Sequence, residues 1–398
     1  MRTSFFGRAA VSDPLRVFVI AGEPSGDKLG GALMTGLKQL RPDVAFDGVG
    51  GEHMQAQGLS SRFDMNELSL MGIAEILPKY RQLKRRIRDT AQAVVAMAPD
   101  VLITIDSPDF CLRVASQVKA ASDIRCVHYV APTVWAWRPG RAAKMAKVID
   151  HVLALFPFEP PYMEAAGMEC DFVGHPVVSE PKVSAQDAAS FKVRHNLDDA
   201  APLLLLLPGS RRSEVTRLGP VLGETLAHLA PQHPNMKVLV PAAGPVAGLV
   251  EDMARSWAVP SVLLDPREKP LGQAQAEKRD AFAAADFALA VSGTVALELS
   301  AARTPMVSVF DMGWISRQII KRMVITDTGN LINLVSDTRH VPEFVAENCR
   351  ADLIADGLRG LMQDPTLQLK AMADTMQKLG EGGEDPGLRA AKAVLKRL

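Results

Sequence analysis

Cysteine and net charge are both scarce in this chain of 398 residues. The four cysteines, Cys111, Cys126, Cys170 and Cys349, show neither C-x-x-C nor zinc-finger spacing. This pattern argues against a disulfide scaffold and against a Cys/His zinc site. Lys and Arg total 45, and Asp and Glu also total 45. The chain therefore has none of the positive surplus that a nucleic-acid backbone attracts, and we expect no nucleic acid among its partners.

Long hydrophobic runs are also missing. No apolar run reaches the roughly 20 residues that a spanning helix needs, and residues 1–15 lack the apolar core of a signal peptide. We therefore expect a cytoplasmic protein. These absences remain compatible with a surface that binds peripherally to a membrane.

Motifs for metals and nucleotide cofactors are absent as well. The sequence contains no D-x-D, no H-E-x-x-H and no G-x-x-x-x-G-K-[ST]. We therefore expect neither a metal nor a cofactor. Arginine and helix N-termini would then have to stabilise a leaving anion.

Short apolar runs alternate with longer amphipathic stretches, which is typical of βαβ units on a parallel sheet. The pattern predicts an α/β fold of two Rossmann-like, doubly wound domains that face a central cleft. The expected domains are 1–175 and 176–370, followed by C-terminal helices at 371–398 that return to the first domain. The predicted strands are 16–21, 44–49, 100–105, 124–130, 150–155, 170–173, 202–207, 236–241, 261–264, 286–291 and 305–310.

Polar residues follow two predicted strands of the first half. Residues 22–27 (GEPSGD) follow the first strand, and Asp106 follows strand 100–105. A carboxylate at the carboxyl end of a buried strand is partly desolvated, which favours a general base. The alternatives are a tight turn capped by Ser25 or Asp27 and a helix capped by Asp106.

Two small-residue turns follow strands of the second half. Gly209, Ser210 and Arg211 combine close backbone approach, a hydroxyl and a planar cation before a helix, as a diphosphate site requires. The second turn contains Ser292, Gly293 and Thr294, with Glu298 one helical turn later, where it could accept bonds from ribose hydroxyls. The alternatives are an exposed arginine loop and an ordinary acidic first turn.

One segment suggests contact with a membrane. Apolar residues at 68–77 precede six basic residues at 79–88, a pattern that fits an interfacial segment on anionic lipid. A core edge followed by a solvated helix face is the alternative. The candidate contacts are Leu70, Met71, Ile73, Ile76, Leu77, Arg85, Arg86 and Arg88.

Five segments, taken together and in order, resemble the lipid A disaccharide synthase family. They are 21–27 (AGEPSGD), 105–110 (IDSPDF), 128–138 (HYVAPTVWAWR), 207–211 (LPGSR) and 292–294 (SGT). The resemblance extends from about residue 16 to the end of the chain. It implies the GT-B architecture and an inverting hexosyltransferase without a metal.

The resemblance also implies substrates and a location. The donor would be UDP-2,3-diacylglucosamine and the acceptor 2,3-diacylglucosamine 1-phosphate. The products would be the β-1,6-linked lipid A disaccharide 1-phosphate and UDP, within lipopolysaccharide synthesis. The enzyme would sit peripherally on the cytosolic face of the inner membrane.

Residue roles follow from the matching positions. Asp106 matches the general base, and Glu23, Ser25, Gly26 and Asp27 form an acceptor-side loop. Donor binding is implied for Gly209, Ser210, Arg211, Ser292, Gly293, Thr294, Glu298 and Asn333. The family's usual Pro before that Asn is Ile332 here.

Two rival interpretations remain at this point. One is another UDP-N-acetylglucosamine-processing enzyme of the same architecture, either a transferase or an epimerase. The other is a non-catalytic protein that binds a nucleotide sugar or a lipid. A homo-oligomer also stays open.

Overall fold

The computed structural model resolves two compact units. Of residues 73–80 it describes the backbone alone. The residues it describes are 14–68, 73–138, 140–197, 201–313, 317–318 and 326–398.

The two units do not follow a single cut in the chain. The first contains the described residues up to 134, those at 140–176 and those at 384–398. The second contains residues 135–138 and 177–383.

The first unit is built on a parallel six-stranded sheet in the order β2-β1-β3-β4-β5-β6. The chain runs from β1 to β2 on one side and from β3 outward on the other. The switch point of the sheet therefore lies between β1 and β3. The strands are Arg16–Ala21 (β1), Ala45–Val49 (β2), Val101–Ile105 (β3), Arg125–Tyr129 (β4), His151–Ala154 (β5) and Glu169–Phe172 (β6).

Helices and one 3₁₀ turn, Met65–Glu67, connect these strands. The helices are Pro24–Leu40 (α1), Glu52–Ala56 (α2), Ile73–Met97 (α3), Pro108–Ala121 (α4), Gly140–Met145 (α5) and Pro160–Glu164 (α6).

The second unit repeats this plan with the strand order β12-β11-β10-β7-β8-β9. Its chain leaves β7 toward β8 and β9, and leaves β10 toward β11 and β12. The switch point therefore lies between β7 and β10. The strands are Leu203–Leu207 (β7), Lys237–Pro241 (β8), Ser261–Leu264 (β9), Phe287–Val291 (β10), Met306–Phe310 (β11) and Glu343–Val345 (β12).

Helices cover both faces of this second sheet. They are Ala185–Arg194 (α7), Arg212–Leu229 (α8), Ala247–Ala254 (α9), Leu271–Ala284 (α10), Val295–Ala302 (α11), Leu331–Ser336 (α12), Ala351–Gln363 (α13) and Thr366–Lys378 (α14). Further 3₁₀ turns are Pro176–Ser179, Gly244–Val246 and Ala346–Asn348.

The burial of strand β7 on both faces explains its sequence of five consecutive leucines. Leu204 and Leu206 belong to the core cluster on one face of the sheet. Leu203, Leu205 and Leu207 belong to the cluster on the other face. A strand covered on both sides needs apolar residues at every position, not at alternate ones.

The last helix, Pro386–Lys396 (α15), belongs to the first unit and packs against α1. Its buried face includes Ala390, Ala391 and Val394. The Arg389 guanidinium donates to the backbone oxygen of Phe172 at 2.9 Å.

The predicted α/β fold with two Rossmann-like domains is confirmed. Every predicted strand is present, with its ends displaced by at most one residue. The sequence interpretation missed β12, because three residues are too few to show a period of two. Within the described residues, no helix has both the length and the apolar composition that crossing a membrane would require.

Candidate functional site

The carboxyl ends of β1 and β3 lie side by side at the switch point of the first sheet. Ala21, which ends β1, is in register with Ile105, which ends β3. The segment that contains Glu23 and the turn that contains Asp106 therefore begin at one edge of the sheet. Ligands of open parallel sheets bind at such edges.

Asp106 and Ser107 form a strained turn from β3 into α4. Their φ angles are 51° and 44°, in the left-handed region that favours glycine. The Asp106 amide donates to the Tyr129 oxygen at 3.0 Å, and Asp106 Oδ1 accepts from the Ser107 amide at 2.8 Å. Strained non-glycine residues of this kind cluster at functional sites. The half-buried carboxylate thus lies where a base at the strand end was predicted.

Gly22 holds this turn from the side of β1. A Cβ at Gly22 would lie 2.5 Å from Ser107 Oγ and 2.8 Å from Ser107 Cβ. Because real side chains do not tolerate such contacts, only glycine lets the two strand ends approach this closely.

The predicted acceptor-side loop is in fact the first turn of α1, which begins at Pro24. Proline suits this position because its fixed φ matches the helix and its missing N–H would have no partner there. Glu23 and Ser25 are exposed, whereas Gly26 and Asp27 are buried. Their acceptor-side role stays a prediction.

The buried carboxylate of Asp27 accepts hydrogen bonds from the protein's own backbone. Its Oδ1 accepts from the amides of Gly51 at 2.7 Å and Met54 at 3.1 Å, and its Oδ2 from His53 at 2.9 Å. Asp27 therefore fixes the start of α2 against α1. These charge-assisted hydrogen bonds replace the ones that the carboxylate would make to water.

Two histidines of the first unit, the buried His128 and the half-buried His175, are neutral at pH 7. Burial lowers the pKa of His128 to about 4, and burial next to Lys28 lowers the pKa of His175 to about 4. His128 Nδ1 lies 2.8 Å from Thr104 Oγ1, whose hydroxyl donates to the Val127 oxygen. His128 is thus enclosed within the sheet and bonded to Thr104, so Asp106 at the strand end remains the candidate base.

In the second unit, a cavity of about 610 Å³ opens at the switch point between β7 and β10. Both predicted turns reach it. The predicted residues that line it are Gly209, Ser210, Arg211, Ser292, Gly293, Thr294 and Glu298. The structure therefore brings these seven residues together.

The turn after β7 presents backbone N–H groups at the N-terminus of α8. Gly209 has a φ of 104°, which only glycine adopts readily. Glu214 Oε2 accepts from the amides of Ser210 at 3.2 Å and Arg211 at 3.3 Å. Its Oε1 accepts from the Arg211 guanidinium at 3.0 Å. An anion site is therefore present, and a carboxylate of the same chain lies on it.

The turn after β10 leads into α11 in a similar way. The Ser292 amide donates to the Val309 oxygen at 2.8 Å, while Gly293 and Thr294 are exposed on the cavity. This arrangement directs the first turn of α11, with its positive dipole end, toward the cavity.

Lys278 is a cavity residue that the sequence interpretation missed. Its ammonium lies 2.6 Å from the Glu298 carboxylate, and both side chains are about two-fifths exposed. It sits within α10, away from any strand end, so no motif spacing pointed to it. The apolar residues Leu264, Pro266 and Leu271 also line the cavity.

Asn333 does not line the cavity. Its side chain is buried and bonds to the backbone of Val341, accepting from the amide at 3.0 Å and donating to the oxygen at 2.9 Å. Its amide also donates to Glu343 at 3.3 Å. Asn333 therefore braces the segment between α12 and β12, and its role in donor binding stays a prediction.

The structure describes only some of the residues that were predicted to contact a membrane. Leu70 and Met71 lie outside the described residues, as do the side chains of Ile73, Ile76 and Leu77. The described candidates are the three arginines of α3, Arg85, Arg86 and Arg88.

These three arginines differ in what they contact. Arg86 is half-buried, makes a two-bond contact with Glu67 and lies 4.4 Å over the Phe63 ring. Arg85 and Arg88 are exposed, together with Arg81 and Lys84. Arg86 therefore stabilises the protein. The side chains of Arg81, Lys84, Arg85 and Arg88, which we call the α3 basic face, are exposed, and Arg88 also lies 3.1 Å from the Asp89 carboxylate.

Comparison with known proteins agrees with this geometry. The family profile described as Lipid-A-disaccharide synthetase matches residues 17–396. The Lipid-A-disaccharide synthase of Ruegeria pomeroyi is 62% identical over 384 residues, covering 96% of each chain. That of Rhodospirillum centenum is 46% identical over 96% of this chain and 94% of its own length.

Solved structures share the fold at low sequence identity. UDP-GlcNAc 2-epimerase from Neisseria meningitidis bound to UDP-GlcNAc matches with a TM-score of 0.61 at 13% identity. The match covers 96% of this chain and 98% of that one. This likeness shows the fold, whereas the full-length sequence matches show the family. The chain belongs to the lipid-A-disaccharide synthase family of glycosyltransferases.

Proposed function

We propose that the protein joins UDP-2,3-diacylglucosamine to 2,3-diacylglucosamine 1-phosphate. The products are the β-1,6-linked lipid A disaccharide 1-phosphate and UDP. Within a chain of this family, one observation carries the proposal. The two small-residue turns of the second sheet meet on a single cavity that also contains Glu298.

The second unit is the proposed donor domain. The amides of Ser210 and Arg211 and the first turn of α11 would bind the diphosphate. Glu298 would accept from the ribose hydroxyls, and the apolar residues Leu264, Pro266 and Leu271 would hold the uracil. The guanidinium of Arg211 supplies charge that stabilises the diphosphate as it leaves.

The first unit is the proposed acceptor domain, and Asp106 is its general base. The acceptor 6-hydroxyl oxygen forms a bond to the donor's anomeric carbon as Asp106 takes its proton. The bond from that carbon to the diphosphate breaks, and UDP leaves with the electron pair. Attack on the face opposite UDP inverts the anomeric centre, and a positioned base contributes about 10²- to 10⁴-fold to such a step.

Incubation with the two acylated sugars tests the reaction. We expect UDP release that requires both sugars, and a product whose new linkage is β by NMR. Conversion of UDP-N-acetylglucosamine without an acceptor would instead identify an epimerase. Tight UDP binding with no turnover on either substrate would identify a binding protein. Either result contradicts the proposal.

The α3 basic face is the proposed contact with the inner leaflet of the inner membrane. Exposed Lys and Arg attract anionic lipid with about 1 kcal/mol each near the surface. Reversal of two of these charges, Arg85→Glu with Arg88→Glu, should reduce flotation with phosphatidylglycerol vesicles several-fold. The matched control is Arg255→Glu with Lys370→Glu, which changes the net charge equally at exposed residues of the second unit. Equal flotation of both double variants would contradict this contact.

A further inference from the structure

The anion site of the turn after β7 already holds an anion. Glu214 Oε2 accepts from two consecutive backbone amides, and Glu214 Oε1 accepts from the Arg211 guanidinium. The Glu214 side chain is 17% exposed, whereas that of Arg211 is 68% exposed. The carboxylate is thus the enclosed member of the pair, and the loop is wrapped around it.

Gly209 shows how closely the carboxylate sits in the loop. A Cβ at Gly209 would lie 2.7 Å from Glu214 Oε2 and 2.9 Å from Glu214 Cβ. Gly209, Ser210, Arg211 and Glu214 all line the same cavity. The donors that a diphosphate would need there are the ones that Glu214 uses.

We propose that Glu214 is an internal competitor of the donor's diphosphate and determines how tightly the site holds UDP. Since both anions need the Ser210 and Arg211 amides, the diphosphate enters when the carboxylate swings out, and the carboxylate returns as UDP leaves. The carboxylate also caps α8 while the site is empty. This inference rests on the proposed donor site in the second unit.

The Glu214→Gln variant separates competition from capping. The neutral amide keeps a carbonyl oxygen that can accept from the same amides, so the loop and helix retain a cap. It loses the charge that pairs with Arg211 and competes with phosphate. Bonds to charged groups are stronger than neutral ones, so we expect the Kd for UDP to fall roughly three- to tenfold in Glu214→Gln.

Uridine provides the internal reference, since it lacks the phosphates. Its Kd, measured by calorimetry beside that of UDP, should stay unchanged in the variant. Asp187→Asn is the matched control, because Asp187 forms the equivalent capping box with Ser184 at the start of α7, outside the cavity. It should change neither Kd.

Three results would overturn the inference. Weaker or unchanged UDP binding in Glu214→Gln would mean that Glu214 preorganises the loop without being displaced. An equal gain for uridine would mean that the effect does not pass through the phosphates. No UDP binding by the unaltered protein would overturn the proposed donor site as well, which distinguishes the two failures.

Discussion

The switch points of the two sheets carry different chemical groups. At the switch point of the first sheet, a side chain is presented: the Asp106 carboxylate, on a strained turn packed against Gly22. At the switch point of the second, backbone amides and glycines surround a cavity. A proton acceptor needs one fixed atom, whereas a diphosphate needs several donors and space. The first edge is therefore suited to catalysis and the second to binding.

The largest expected effect comes from removing the carboxylate at the first edge. Asp106→Asn should lower kcat by about 10²- to 10⁴-fold, since a neutral amide cannot take the acceptor proton. The Kd for UDP should stay unchanged, because the proposed UDP site lies in the second unit. Steady-state kinetics and calorimetry measure the two. Asp109→Asn, in the exposed first turn of α4, should leave kcat near normal, and a comparable loss there would remove the special role of Asp106.

Acid should weaken the first unit through two histidines whose pKa values are lowered, His128 and His175. The pKa values of His128 and His175 fall from an ordinary 6.5 to about 4 on burial. The unfolded chain therefore binds more protons between these pH values. The free energy of unfolding should decline as pH drops from 6.5 toward 4, by on the order of 1–2 kcal/mol per histidine at pH 5.

Urea unfolding at pH 7 and pH 5 checks this difference. The pH dependence should shrink in His128→Gln and stay unchanged in His340→Gln, an exposed residue of the second unit. An undiminished pH dependence in His128→Gln would contradict the assignment.

The contrast between the two edges also predicts different effects for alanine substitutions of their glycines. Gly22→Ala forces its Cβ against Ser107 and should lower the free energy of unfolding by about 2 kcal/mol. It should also lower turnover. Gly293→Ala meets no atom within 4 Å, so its stability should stay within about 0.5 kcal/mol of the parent. Its methyl group adds bulk at the cavity and should weaken UDP binding. Thermal unfolding and UDP titration of both variants measure the contrast, which fails if Gly293→Ala is the less stable of the two.

The smallest effect is expected at Lys278. Its half-exposed ion pair orients Glu298, so Lys278→Met should raise the KM for the donor about two- to fivefold with kcat unchanged. Lys378→Met breaks a pair of similar exposure with Asp374 on α14 and should leave KM unchanged. A fall in kcat alone would assign Lys278 to the chemical step instead.

Most of the fold could be predicted because the central strands, such as β3 and β7, are buried along their whole length and appear in the sequence as apolar runs. The five leucines of β7 leave no other plausible structure, and the strand ends then locate Asp106 and Arg211. The parts that could not be predicted depend on long-range packing. Lys278 reaches Glu298 from a different helix, and Asn333 bonds to Val341 across a turn.

Glu214 shows a different limit of sequence interpretation. The residues after β7 indicated an anion site but not that an anion from the same chain occupies it. The spacing of Arg211 and Glu214 fits both an exposed ion pair and a cap. Only the distances from Glu214 to the backbone amides separate the two.

The position of α15 has a consequence for synthesis on the ribosome. The first unit is assembled from the beginning of the described chain and from its last helix, which covers α1 and contacts Phe172. Residues 177–383 are nearly sufficient for the second unit. The later segment can therefore fold while the earlier one still exposes the surface of α1 that α15 will cover. Nascent chains halted before residue 384 should accordingly depend on chaperones for their N-terminal half.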